Sequence, residues 1–137
     1  MIRQEIYVPR YDWQVIVFYD SDRRDAGEIL RELDRIGVDD ETYWDAEENL
    51  RAGYEDTGLT FSNFMRRTSV IVLSHTSSKA EFANTWVHEV GHCAKHIAFA
   101  YDMDCNGEPV QYISGELARE MQPVAAKLMC PTCHCGQ

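Results

Sequence analysis

The chain has 137 residues, of which 45% are hydrophobic, and a formal net charge of −10 at pH 7. This length predicts a single domain, residues 1–137, with a modest core. The acidic balance, with no basic patch to offset it, excludes nucleic acid as the expected partner. We also expect no membrane span and no signal peptide, because no apolar run is long enough and the N-terminus is polar.

The five cysteines are an odd number, and three of them crowd the C-terminus. This usage is typical of a reducing compartment, so we expect a cytoplasmic protein with free or metal-bound thiols. The segment Cys130-Pro-Thr-Cys133-His134-Cys135 resembles half of a zinc knuckle. It predicts a second zinc that Cys105 or a partner chain would complete, the alternative being a terminus with reactive thiols.

Hydrophobic periodicity and turn residues predict alternating strands and helices along the chain. Strands are predicted over residues 5–8, 14–19, 58–64 and 68–74, and helices over 22–36, 40–51, 78–97 and 108–129. Gly37 and Gly53 mark the ends of the first two helices. Pro123 lies inside the last helix and predicts a kink or break near Gln122.

The central feature of the chain is the sequence His88-Glu89-Val90-Gly91-His92. Residues four apart lie on one face of a helix, so His88 and His92 can both reach a single metal ion. Imidazole nitrogens are common zinc ligands, and this pattern on a helix is typical of metallopeptidases. Glu89, beside the first ligand, is then the candidate general base that takes a proton from the attacking water.

The residues around the motif predict a helix with two different faces. Ser78 and Glu81 form a capping box at its start. At about 100° per residue, the two motif histidines lie away from the apolar stripe of this helix, whereas Glu89 and His96 flank it. The apolar stripe carries Phe82, Trp86, Val90, Cys93 and Ile97. The sequence therefore predicts one face in the core and a separate face that can hold a metal.

A zinc site of this kind needs a third protein ligand. The metzincin pattern requires Gly at position 95 and His at position 98, where this chain has Lys95 and Ala98. His96 lies about 12 Å from His88 along a straight helix, so it cannot share the same ion. We expect His96 either to support a ligand of the ion or to face a substrate. A downstream carboxylate remains, and spacing alone does not separate the candidates. These are Asp102, Asp104, Glu108, Glu116 and Glu120.

The second half of the chain resembles the small gluzincin-type metallopeptidases encoded by phages and mobile elements. The resemblance rests on the motif, on residues 107–115 (Gly-Glu-Pro-Val-Gln-Tyr-Ile-Ser-Gly), on the strand 69–74 and on residues 81–85. In that group a Glu four residues before an aromatic residue follows the motif helix. The resemblance therefore implies Glu108 as the third zinc ligand, with Glu116 as the alternative.

The resemblance also implies an α+β, zincin-like fold with a small mixed or antiparallel sheet, an active-site helix and a following ligand helix. The implied function is a zinc-dependent metallopeptidase that cleaves a protein or peptide, in the cytoplasm or in a virion if phage-encoded. Residues 69–74 would form the sheet edge along which the peptide lies. The alternatives are a structural or adaptor protein that keeps zinc for stability, and a regulatory protease that cleaves one repressor. No sequence feature specifies the oligomeric state.

Overall fold

The computed structural model describes residues 1–129, which form four strands and four α-helices. The strands are β1 (Ile2–Val8), β2 (Trp13–Ser21), β3 (Gly58–Asn63) and β4 (Thr68–Ser74). The helices are α1 (Ala26–Ile36), α2 (Asp40–Ala52), α3 (Lys79–Ala100) and α4 (Glu108–Met129). Each element lies within a few residues of its predicted position. The predicted zinc-binding segment from Cys130 to Cys135 lies outside the described residues.

The strands form one mixed sheet in the order β1-β2-β4-β3. β2 and β4 are parallel, whereas β1 and β3 run antiparallel to their neighbours. This confirms the predicted α+β class with a small mixed sheet. The prediction that residues 69–74 form the sheet edge is wrong, because β4 lies between β2 and β3. Its apolar run Val70–Leu73 is buried on both faces, as an interior strand requires, and the edge strand on this side of the sheet is β3.

Two helix pairs cover the two faces of the sheet. In β2, Val15 and Val17 contact the core beneath α3 and α4, whereas Ile16 and Phe18 contact the core beneath α1 and α2. Side chains of successive strand residues point to opposite faces, so the continuous apolar run of β2 fills both cores. α1 follows β2 onto one face, and α3 follows β4 onto the other.

The helices begin and end at the residues that the sequence marks. The Asp39 side chain accepts a hydrogen bond from the Thr42 amide at the start of α2, and Ser78 does the same for the Glu81 amide in α3. Gly37 ends α1 with a φ of +80°, a left-handed conformation that glycine adopts without strain. Local capping chemistry thus fixes where α3 begins.

α4 continues through Pro123, so the predicted break does not occur. Proline removes one backbone hydrogen bond, to the carbonyl of Arg119, and both residues are exposed. Water can therefore satisfy that carbonyl, and the buried residues of α4 on the opposite side keep the helix in place. No helix among residues 1–129 combines the length and the apolar character needed to cross a bilayer.

Candidate metal centre

His88 and His92 lie next to each other on the exposed side of α3. Their Nε2 atoms are 3.0 Å apart, and the two rings meet edge to face. Two nitrogen ligands on a tetrahedral zinc, each at about 2.0–2.1 Å, would be about 3.3–3.4 Å apart. The observed spacing fits a shared ion after a shift of a few tenths of an ångström. Without an ion it fits a hydrogen bond from one ring to the other.

The structure does not bring a third ligand to this pair. Among residues 1–129 no three side chains of His, Cys, Asp or Glu are grouped as a metal site would require. Glu108 is exposed at the start of α4, beyond the end of α3, which continues for eight residues after His92. Eight residues of helix span about 12 Å. Glu108 as the third ligand therefore stays a prediction.

Glu116 and Glu120 lie on the part of α4 that is close to β1. Glu116 lines a shallow depression with Arg10 and Tyr112, beside the turn that joins β1 to β2. The backbone carbonyl of Glu120 accepts a hydrogen bond from Gln4 of β1. Both contacts place this part of α4 over the β1 side of the sheet, whereas α3 contacts β3 and β4.

Cys105 is the described residue among the cysteines considered for a second zinc. It lies in the loop before α4, while Leu128 near the other end of α4 lines a cavity with Ser78 at the start of α3. The two ends of this 22-residue helix are about 30 Å apart. The segment from Cys130 to Cys135 lies outside the described residues, so a contribution of Cys105, like that of a partner chain, stays a prediction.

Glu89 lies on the side of α3 that contacts β3. Its side chain is only 4% exposed, and the Thr60 hydroxyl donates a 2.7 Å hydrogen bond to its Oε1. Gly58 leaves the space that this carboxyl group occupies, since a Cβ at that position would lie 2.6 Å from Glu89 Cγ. The sequence predicted that Glu89 flanks the apolar stripe. The structure confirms this position and holds the carboxyl group against β3.

His96 also faces β3, and a chain of hydrogen bonds supports its ring. The Trp13 Nε1 donates to Ser69 Oγ at 2.8 Å, and Ser69 Oγ lies 2.6 Å from Ser62 Oγ. Ser62 Oγ in turn lies 2.7 Å from His96 Nδ1. Burial, reinforced by the nearby His92, holds the pKa of His96 below its ordinary value. The ring is therefore neutral at physiological pH.

Three residues of the site escaped the sequence interpretation: Gly58, Thr60 and Ser62. They alternate along β3 and share the face that contacts Glu89 and His96. The intervening Leu59 and Phe61 pack against the opposite core. Alternation of small or polar with apolar residues in an edge strand was the signal that could have identified this face.

A groove of about 470 Å³ runs along the outside of β3; we call it the β3 groove. Residues 60–65 form one wall, and His96 contributes from α3. Asp39 and Thr42 contribute from the start of α2. Asp39 is the acidic residue that lines this far side of the groove, and α2 beyond it carries five acidic residues and one basic residue.

No model of a known protein family matches the chain, and no curated protein or solved structure is significantly similar to it.

Proposed function

We propose that this protein is a zinc-dependent hydrolase that cleaves peptide bonds. The observation that carries the proposal is the pair of imidazole Nε2 atoms that lie 3.0 Å apart on α3. The same helix carries Glu89, whose carboxyl group is held against the edge strand β3 by Thr60. The donor chemistry fits zinc, since neutral imidazole is one of its common ligands. His88 and His92 would hold the ion, and it would supply Lewis-acid activation of water and of the scissile carbonyl.

Glu89 would act as the general base in this reaction. Its side chain starts one residue from the first ligand and turns toward β3, the strand along which a substrate would lie. The hydrogen bond from Thr60 orients one carboxyl oxygen, which leaves the other to accept a proton from water and to return it to the leaving amine.

An extended peptide is the substrate that the surroundings favour. β3 is an edge strand, so its outer backbone groups can pair with a peptide strand. All six residues of β3 are partly exposed, and the β3 groove runs beside them. The Asp39 carboxylate, which lines the far side of the groove, favours a peptide with a basic side chain.

A metal-stabilised structural or adaptor protein is the second candidate. One observation favours it: no third ligand joins His88 and His92 among residues 1–129. In this alternative the ion crosslinks two turns of α3 and performs no chemistry. The two functions differ in what Glu89 is expected to do, because only the hydrolase needs its carboxylate.

A digest of a peptide library with wild-type protein and Glu89→Gln, at matched zinc occupancy, separates the two functions. The proposed hydrolase cleaves peptides with basic residues, and Glu89→Gln lowers the rate about 10²–10⁴-fold while zinc content stays unchanged. Equal cleavage by both proteins would show that Glu89 is not the base. No cleavage by the zinc-loaded wild type would refute the proposal in favour of the structural function.

A further inference from the structure

In the hydrogen-bond chain that ends at His96, the donor and the acceptor of each bond can be inferred. The Trp13 Nε1 can only donate, so Ser69 Oγ accepts from it. The proton of Ser69 then has two neighbouring acceptors, Ser62 Oγ at 2.6 Å and the thiol of Cys93. Sulfur is a weak acceptor, so we infer that the Ser69 hydroxyl donates its hydrogen bond to Ser62 Oγ. Ser62 in turn donates its own proton to His96 Nδ1.

This direction determines where the neutral His96 ring carries its proton. A neutral imidazole has one N–H group and one acceptor nitrogen. Because Nδ1 accepts from Ser62, the ring proton is on Nε2. Trp13 and Ser69 are fully buried, so solvent does not compete for the hydrogen bond between them.

His96 and Glu89 lie on the same side of α3. They are seven residues apart, which places them about 20° from each other around the helix axis. Both contact the same face of β3, through Ser62 and Thr60 respectively. Along the axis His92 lies between them, about 4.5 Å from Glu89 and about 6 Å from His96.

We propose that the Trp13–Ser69–Ser62 chain fixes His96 as a neutral Nε2–H donor, which donates a hydrogen bond to a carbonyl group of a peptide bound in the β3 groove. This inference rests on the proposed function and adds a second catalytic residue to Glu89. Glu89 handles the proton of the attacking water, and His96 stabilises negative charge on the carbonyl oxygen. A neutral donor suits this task, because it keeps its proton as the oxygen becomes charged. Ser62 and Ser69 are positioning residues that act through His96.

The first test is the tautomer of His96 in the full chain, which needs no enzymatic activity. Multiple-bond ¹H–¹⁵N NMR spectra, recorded well above the ordinary histidine pKa of about 6.5, distinguish a protonated from an unprotonated ring nitrogen. We expect the proton on Nε2 in the wild type and a mixture of tautomers in Ser62→Ala. Thr60→Val, which alters the neighbouring position on the same strand face, is the matched control and should leave the His96 tautomer unchanged. A proton on Nδ1 in the wild type would overturn the inference, as would an unchanged tautomer in Ser62→Ala.

The second test is cleavage of a library peptide by His96→Ala. Loss of one donor to the carbonyl oxygen should lower kcat about 10²–10³-fold. Zinc content should stay unchanged, because His96 is not a ligand of the proposed ion. Wild-type activity in His96→Ala would refute the donor role even if the tautomer is as expected. If the wild type cleaves no peptide, the proposed function and the role of His96 toward a substrate fail together. The NMR result still shows whether Ser69 and Ser62 fix the His96 tautomer.

Discussion

Replacing Gly58 with alanine tests whether β3 holds Glu89 in the way the structure shows. The new Cβ would lie 2.6 Å from Glu89 Cγ and 2.9 Å from both Cδ and Oε2. Contacts this short require the carboxyl group to move. The Glu89 side chain is 4% exposed and accepts a hydrogen bond from Thr60, so it cannot move freely into solvent.

We expect Gly58→Ala to lower the free energy of unfolding by about 1–3 kcal/mol, the usual cost of overpacking a buried site. Urea unfolding followed by tryptophan fluorescence measures this change. Gly115→Ala is the matched control, because a Cβ added at this position of α4 would point into open space. Alanine favours a helix over glycine, so this control should gain about 0.5–1 kcal/mol.

A double-mutant cycle assigns the cost to Glu89. In the Glu89→Ala background the atoms that clash are gone, so Gly58→Ala should cost little, with a coupling energy above about 0.5 kcal/mol. The reasoning is refuted if Gly58→Ala is as stable as the wild type. An equal cost in both backgrounds would also refute it, since the clash would then involve another group.

Three further predictions test the fold and its charges. Pro123→Ala should raise the free energy of unfolding by up to about 3 kcal/mol, because α4 is continuous there; a loss of stability would contradict that continuity. Asp39→Ala should cost about 1 kcal/mol through loss of the α2 cap, whereas Asp39→Asn, which keeps an acceptor, should cost less; equal costs would argue against the cap. The hydrogen bond from His75 to Asp20 raises the pKa of His75 above its ordinary value. The stabilisation from this pair is therefore complete below about pH 6.5, and it is lost as the pH rises through the pKa of His75 in the folded protein. Histidine NMR titration should show a lower His75 pKa in Asp20→Asn, and an unchanged pKa would exclude this pair as the cause.

Local sequence signals predicted most of the secondary structure. Gly37, Asp39 and Ser78 act through contacts within their own turn of the chain, so their caps could be identified without a tertiary structure. Helical periodicity likewise predicted that Glu89 lies at the edge of the apolar stripe of α3, where it is buried.

The order of the strands depended on contacts between distant segments. β4 pairs with both β2 and β3, and these pairings are what make it interior. The apolar run of residues 70–73 fits a strand covered on both faces, yet the resemblance to zincin-like proteins suggested an edge. Which strand lies next to Glu89 and His96 therefore became clear only from the sheet.

The carboxylates of α4 show a second limit of sequence spacing. Glu108, Glu116 and Glu120 follow the motif at plausible distances along the chain. Their positions around α4, and the side of the sheet that α4 covers, depend on how α4 packs over β1. Periodicity predicts the apolar side of a helix, but it does not specify which neighbouring element that side meets.

The central claim, a metal held by His88 and His92, is tested most directly by zinc stoichiometry. Full-length protein in which the cysteines at 130, 133 and 135 are replaced by serine should retain about one zinc per chain after dialysis against zinc-containing buffer, measured by elemental analysis. Adding His88→Ala and His92→Ala should abolish this zinc, whereas adding His96→Ala should not. Glu108→Gln in the same cysteine-to-serine protein, compared with that protein by zinc content, tests the third ligand separately. Undiminished zinc in the protein that lacks both motif histidines would contradict the assignment of the metal centre.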